Sequence, residues 1–211
     1  MAMQRSLLWK TLQMPARILT SLMFDLQVHN VENVPAEGGV LLAANHQSNL
    51  DPVLVAVRLR RPVSFLAKEE LFKNFFLRNL IESLHAFPIK QNSGDLGAVR
   101  ETMRRLEEGH VLNVYPEGTR TDDGKIQPLQ KGIALIIRKT AAPVVPVAIE
   151  GSFYAWTKGR KVPRPGKIDV MYGKPMRFEG MKADEILTGL HGALVALLEE
   201  LKEKRRIAGR E

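Results

Sequence analysis

The chain has 211 residues, 45% hydrophobic and 26% charged, the size and balance of a single folded domain able to bury its own core. It contains no cysteine, which excludes disulfides, thiolate nucleophiles and cysteine metal sites together. Thirty-one Lys and Arg against 23 Asp and Glu leave a formal charge of +8, which favours anionic partners such as phosphate esters and lipid headgroups. Nucleic acid is not expected, because no stretch interleaves Lys or Arg with Phe or Tyr as a single-strand binder would.

Residues 1–25 carry Leu7, Leu8, Trp9, Leu12, Ile18, Leu19 and Leu22, interrupted by Lys10, Gln13 and Arg17. No run reaches the ~18 apolar residues of a spanning helix, no secretory signal is expected, and Pro15 is expected to break or kink the pattern. Arg5, Lys10 and Arg17 beside Trp9 and the leucines fit an amphipathic helix lying among lipid headgroups; a helix packed on its own domain fits equally well. On this reading residues 1–30 are an N-terminal membrane-association segment and residues 31–211 the main domain.

From there short apolar runs alternate with amphipathic stretches. Strands are expected at 39–44 (GVLLAA), 63–66, 86–89, 111–115, 144–149 and 167–172, and helices at 52–59, 70–84, 95–108, 131–139 and 183–206. Gly109 is placed to end the helix before it. The alternation predicts one α/β layered domain, with a mixed, largely parallel sheet flanked by helices. The segment 158–167 (KGRKVPRPGK) is a basic loop. It suits lipid headgroups, the phosphates of a coenzyme or an acidic carrier protein, and equally plain solvent.

Two stretches carry chemistry. NHQSNLD, residues 45–51, follows directly on the GVLLAA strand, where α/β folds gather functional groups. Asp51 precedes Pro52 and is expected to cap the next helix. A carboxylate beside His46 would fix the imidazole tautomer, leaving the other ring nitrogen as a base. Taken alone, the spacing also fits a cap next to a polar loop histidine. Residues 111–121, VLNVYPEGTRT, run from a strand into Glu117, Gly118, Thr119 and Arg120. Gly118 permits positive φ or close approach of a ligand, Arg120 can grip a phosphate with paired bonds, and Glu117 can orient Arg120 or accept a bond from the bound substrate. An acidic turn with a surface arginine is the alternative. The five histidines show no metal-ligand spacing, so no metal or resident cofactor is expected.

In this order and at this separation, NHQSNLD and YPEGTRT resemble the H-x4-D and E-G-T-R blocks of the glycerolipid acyltransferases, the lysophosphatidic acid acyltransferase (PlsC/AGPAT) superfamily. FPIKQ at 87–91 and VVPVAIEGS at 144–152 match two further blocks. The resemblance implies acyl transfer from acyl-CoA or acyl-carrier protein to a lysophospholipid hydroxyl by a peripheral or monotopic protein on anionic membrane, at the cytoplasmic face. It implies His46 as base, Asp51 as its orienting partner, Glu117, Gly118, Thr119 and Arg120 as the acceptor site, and Pro146 on the donor side. Where many members read Asp-Arg, this chain has Lys90 and Gln91; Lys90 brings a point charge in place of a planar fork, which opens the acceptor to other lysolipids or lyso-aminolipids.

A thioester is already activated and general-base assistance contributes about 10²–10⁴-fold, so direct transfer is expected. An acyl-enzyme lacks its usual nucleophile, there being neither cysteine nor a G-x-S-x-G elbow. Backbone amides near Gly118 are candidate oxyanion donors. Leu71, Phe72, Phe75, Phe76 and Leu77, flanked by Lys73 and Arg78, fit a core-facing helix or a second inserting patch. Rival readings are a lipid-binding protein without catalysis and a thioester hydrolase.

Overall fold

The computed structural model describes residues 7–83, 86–89 and 96–210. In chain order it places α1 (Leu7–Phe24), β1 (Gln27–His29), β2 (Val40–Ala44), α2 (Asp51–Ala56), β3 (Val63–Lys68), α3 (Phe75–Ser83) and β4 (Ala86–Ile89). Next come α4 (Leu96–Glu107), β5 (Val111–Val114), α5 (Lys131–Lys139), β6 (Val144–Glu150), α6 (Ser152–Ala155), β7 (Asp169–Tyr172) and α7 (Ala183–Ile207).

The strands form one seven-stranded sheet in the order β1-β7-β6-β2-β5-β3-β4. Every neighbouring pair is parallel except β6 with β7, as the mixed, largely parallel reading expects. All five residues of β2 are buried, because helices cover both faces of a central parallel strand. Leu54 and Val55 of α2, with Phe24 of α1, pack on one face against Leu42, Val145 and Tyr172. Leu106 of α4, Ile133 and Ile137 of α5, and Ile186, Leu190 and Leu194 of α7 pack on the other against Leu41, Leu112 and Val144. Each such fully buried aliphatic side chain stabilises by about 1.5–3 kcal/mol relative to exposure. Because β2, β5 and β6 run parallel, the loops leaving their C-terminal ends meet at one edge of the sheet.

Several elements differ from the sequence reading. α1 continues through Pro15, whose ring lies on the exposed side of the helix, away from the packed surface. The helix expected over 70–84 is divided into a 3₁₀ turn, Glu69–Phe72, and α3. β1 was not expected; at three residues it is too short to show an alternating pattern. It is held by the ladder to β7 and by ionic contacts at Asp169. That buried carboxylate meets His29 Nε2 at 3.2 Å, Arg210 Nε at 3.2 Å and Arg205 Nη1, and Arg210 reaches on to Asp25 at 2.6 Å. Pro146 is buried inside β6, opposite Ala43. Its carbonyl accepts the Gly173 N–H at 2.8 Å, but proline has no N–H to return, and β7 ends one residue earlier.

Candidate active site

The loop after β2 begins by extending the sheet with a side chain. Asn45 Nδ2 donates to the Ile149 carbonyl at 3.0 Å and Oδ1 accepts the Ile149 N–H at 2.7 Å, which fixes where the next residue, His46, emerges. Asp51 is fully buried, and His46 Nδ1 lies 2.8 Å from its Oδ2. The same oxygen accepts the backbone N–H groups of Gln47 and Ser48, each at 2.7 Å, while Oδ1 accepts Ser152 Oγ at 2.8 Å.

Asp51 is therefore not the helix cap expected. It is the first residue of α2, preceded by Leu50 in helical backbone, and its carboxylate turns back into the loop because two amides and the imidazole converge there. With the proton on Nδ1, Nε2 is the acceptor nitrogen, and among the described residues it has no partner. Tyr115, the residue after β5, stacks on the imidazole with ring centroids 3.8 Å apart and planes 16° from parallel. Ser48 is not poised as a nucleophile: its hydroxyl donates to the Trp156 carbonyl at 2.9 Å and accepts the Leu50 N–H at 3.2 Å.

The loop after β5 grips the peptide of His46 from both sides. Glu117, 2% exposed, accepts the His46 N–H on Oε1 and the Gln127 N–H on Oε2, both at 2.7 Å. The His46 carbonyl accepts the Thr121 N–H at 2.9 Å. Both Glu117 oxygens are thus committed to backbone, and Glu117 makes no pair with Arg120, one of the two roles that the sequence allowed it. Burial pushes the Glu117 carboxyl up to about 7, against the pull of the Gln127 and His46 amides, with the charges of Asp51 and Asp123 adding to the rise.

Gly118 has φ +73°, a backbone conformation that favours glycine, and a Cβ there would lie 3.0 Å from Gln130 Cγ, so that side chain would have to give way. Its N–H donates to the Tyr115 carbonyl at 2.9 Å; this amide is committed to the turn and is no oxyanion donor. Thr119 is exposed. Arg120 is half-buried and has no hydrogen-bond or ion-pair partner among the described residues, next to the Thr121 amide that holds His46.

A third loop, after β6, completes the frame. Gly151 has φ +91°, and a Cβ would come within 2.2 Å of the Lys167 carbonyl oxygen; it turns the chain so that Ser152 reaches Asp51. Gln47 Nε2 donates to the Gly124 carbonyl at 3.1 Å, and Lys158 of the basic loop pairs with Asp122 at 3.0 Å. His46, Asp51, Glu117 and Arg120 thus share one loop cluster, whereas Pro146 lies within the sheet and Lys90 falls outside the described residues. Tyr115, Gln47 and Ser152 were not singled out from sequence, although Tyr115 directly precedes PEGTR and Ser152 ends the VVPVAIEGS block. Among the described residues no three His, Asp or Glu side chains gather as a metal site.

A family model described as acyltransferase matches residues 25–150. The 1-acyl-sn-glycerol-3-phosphate acyltransferase of Bacillus subtilis is 29% identical over 192 residues, covering 89% of this chain and 94% of that protein. The enzyme of the same name, BAT2, from Brassica napus chloroplasts is 27% identical over 165 residues, covering 76% of this chain and 47% of that protein. The crystal structure of the 1-acyl-sn-glycerophosphate (LPA) acyltransferase PlsC from Thermotoga maritima shares the fold with a TM-score of 0.79 at 29% identity, covering 92% of this chain and 79% of that one. Matched by the family model over residues 25–150, which hold β1 to β6 and the loops after β2 and β5, the chain belongs to the acyltransferase family and is an O-acyltransferase.

Proposed function

We propose that this enzyme transfers a fatty acyl group from acyl-CoA or acyl-carrier protein to the sn-2 hydroxyl of lysophosphatidic acid, giving phosphatidic acid. His46 is the general base, Asp51 its positioning partner and Arg120 the phosphate anchor. The observation that carries this reading is the Nε2, unpartnered among the described residues, of an imidazole fixed at Nδ1 by Asp51, with a guanidinium likewise unpaired among them on the turn bonded to the same His46 peptide. In the step itself, Nε2 takes the acceptor's hydroxyl proton as the oxygen attacks the thioester carbonyl. The tetrahedral intermediate then collapses, the C–S bond breaks, and the departing sulfur takes the proton back from the imidazolium. The acyl-acceptor names of the Bacillus and Thermotoga relatives support the lysophosphatidic acid assignment.

The substrates are amphiphiles, so the enzyme works at a membrane surface. No helix among the described residues is long and apolar enough to cross a membrane. α1 instead exposes Met14, Ile18 and Leu22 at four-residue spacing, 63%, 56% and 80% exposed, with Leu19 beside them. Such a stripe suits burial in the interface on the cytoplasmic leaflet. On α3, Phe75 is exposed beside the exposed Lys73 and Arg78.

The test is acyl transfer from labelled acyl-CoA and from acyl-carrier protein, with lysophosphatidic acid, with a lyso-aminolipid and with no acceptor, for wild type and His46→Ala. Phosphatidic acid that forms only with acceptor and vanishes in the variant is the expected result. Free acid released without acceptor would identify a hydrolase, and indifference to the acceptor's phosphate would turn attention to Lys90 and Gln91.

A further inference from the structure

Away from His46, a cleft of about 790 Å³ opens between α1 and the free edge of the sheet, lined by Gln13, Arg17, Val28, His29, Arg58 and Arg60 among others. Three guanidiniums face one cavity, and no Asp or Glu among the described residues lines it. Hydrogen bonds hold two of the arginines in place. Arg17 Nε donates to the Val57 carbonyl at 2.7 Å, and Arg58 Nη2 to Ser21 Oγ at 2.8 Å. Gln13 Nε2 fixes the same turn through the Leu59 carbonyl at 2.8 Å. Arg60 is exposed, with no hydrogen-bond or ion-pair partner among the described residues. Behind the cleft, Asp169 meets His29 but is already answered by Arg205 and Arg210.

The edge strand adds a donor. Gln27 N–H bonds to the Ile168 carbonyl, so by the two-residue alternation of a strand the Val28 N–H lies on the open side of β1. On α1, Arg17 and Ser21 occupy the flank between the packed face, with Thr20 and Phe24, and the exposed stripe of Ile18 and Leu22. The guanidiniums of Arg58 and Arg60 meet no carboxylate among the described residues, and planar guanidiniums suit phosphate oxygens better than ammonium groups do. Here they lie alongside an apolar stripe, so one amphiphile can satisfy both.

We propose that this cleft is a second lipid site that takes the phosphate headgroup of an anionic phospholipid, its acyl chains lying along the exposed stripe of α1. The proposal rests on the membrane seating of α1 given above, and adds to it a localised headgroup specificity that an apolar stripe does not confer. Occupancy would hold the α1 flank on anionic membrane independently of substrate in the acyltransfer site.

The experiment is vesicle co-sedimentation of the full chain on phosphatidylcholine alone, and on phosphatidylcholine with phosphatidic acid or with phosphatidylglycerol, at two salt concentrations. It compares wild type, Arg58→Gln/Arg60→Gln, and the control Arg138→Gln/Lys139→Gln. The control removes the same charge from exposed positions on α5, across the sheet. The cleft pair should lose about tenfold or more in binding to anionic vesicles, since each basic residue at such a surface contributes about 1 kcal/mol or roughly fivefold, and the control under threefold. Equal losses in the two pairs would reduce the effect to diffuse charge and overturn the site. Displacement of wild type from anionic vesicles by millimolar glycerol 3-phosphate would assign the cleft to a soluble phosphate ester and overturn the lipid. If the double variant melts early, Arg60→Gln alone carries the test, its side chain having no internal bond to lose. Binding of wild type to phosphatidylcholine reports on α1, and acyl transfer in neutral detergent micelles on the enzyme reading, so failure of either is read separately from failure of the cleft.

Discussion

The ring of Tyr115 lies flat against that of His46, 3.8 Å between centroids and 16° from parallel, so the imidazole is held in plane by Asp51 and from its face by an aromatic. The Tyr115 hydroxyl has no such role. It is buried beside the Asn113 amide, and neither group meets a partner at hydrogen-bonding geometry among the described residues. Burial, with the charge of Asp51, holds the phenol far above its ordinary titration range, so it stays neutral throughout. Tyr115→Phe should keep kcat within about twofold and leave stability unchanged or raised by up to ~1 kcal/mol, because an unsatisfied hydroxyl is removed. Tyr115→Leu forfeits a stack worth about 0.5–1.5 kcal/mol and should lower kcat up to about tenfold. Steady-state kinetics on the two variants decide it, and equal losses would deny the ring its positioning role.

Asp51 is the second restraint, and it only accepts. Four donors converge on it: His46 Nδ1, the amides of Gln47 and Ser48, and Ser152 Oγ. An asparagine would aim an N–H₂ at one of them. Asp51→Asn should cost about 2–3 kcal/mol in denaturant unfolding through the unsatisfied donor, and on the order of 10³-fold or more in kcat through loss of the tautomer. His46→Ala should abolish transfer yet melt close to wild type, since the backbone bonds to Glu117 and Thr121 survive the change. A large stability loss in His46→Ala would mean the loop depends on the ring itself.

What was legible in the sequence and what was not follow from the range of the interactions. The apolar runs of β2 and β6 and the amphipathic repeat of α4 are local patterns, and they locate the strands and helices to within a few residues. His46, Asp51 and Arg120 were readable as paired motifs. The work of Glu117 was not, because its partners, the amides of His46 and Gln127, lie on two other parts of the chain and carry no side-chain signature. The same holds for Asp51, whose place before Pro52 suggests a cap until the amides behind it are seen. β1 depends on partners far along the chain, Asp169 and the ladder to β7, and three residues are too few to show a pattern of their own.

Arg120 separates acceptor from donor. Its guanidinium has no hydrogen-bond or ion-pair partner among the described residues, so removing it breaks no internal polar contact there and Arg120→Ala should fold as wild type does. The KM for lysophosphatidic acid should rise by about 10²-fold, as expected for losing a charged hydrogen-bonding pair worth ~1.5–3 kcal/mol, while the KM for the acyl donor stays put. Arg120→Lys should recover only part of the loss, because an ammonium cannot present a planar fork. A matching rise in donor KM would place the residue elsewhere in the reaction.

Glu117 makes a prediction in which stability and activity move oppositely with pH. Burial raises its carboxyl from the ordinary 4.5 to about 7. A group with a raised folded-state value contributes stability that is fully present below the ordinary value and lost as pH climbs through the raised one. Relative to Glu117→Gln, which does not titrate, wild type should therefore lose up to about 3 kcal/mol between pH 4.5 and 7. Activity follows the other form, since only an ionised carboxylate accepts the His46 and Gln127 amides equally well, both at 2.7 Å. A protonated or amide side chain turns a hydrogen toward one of them and loosens the loop that carries the base. Transfer rates of wild type and Glu117→Gln should then lie close together at pH 6 and separate, with wild type faster by about tenfold, at pH 8. Unfolding and rate curves recorded across that range on both proteins check the pair of trends, and parallel rate profiles would show that the clamp does not titrate where the enzyme works.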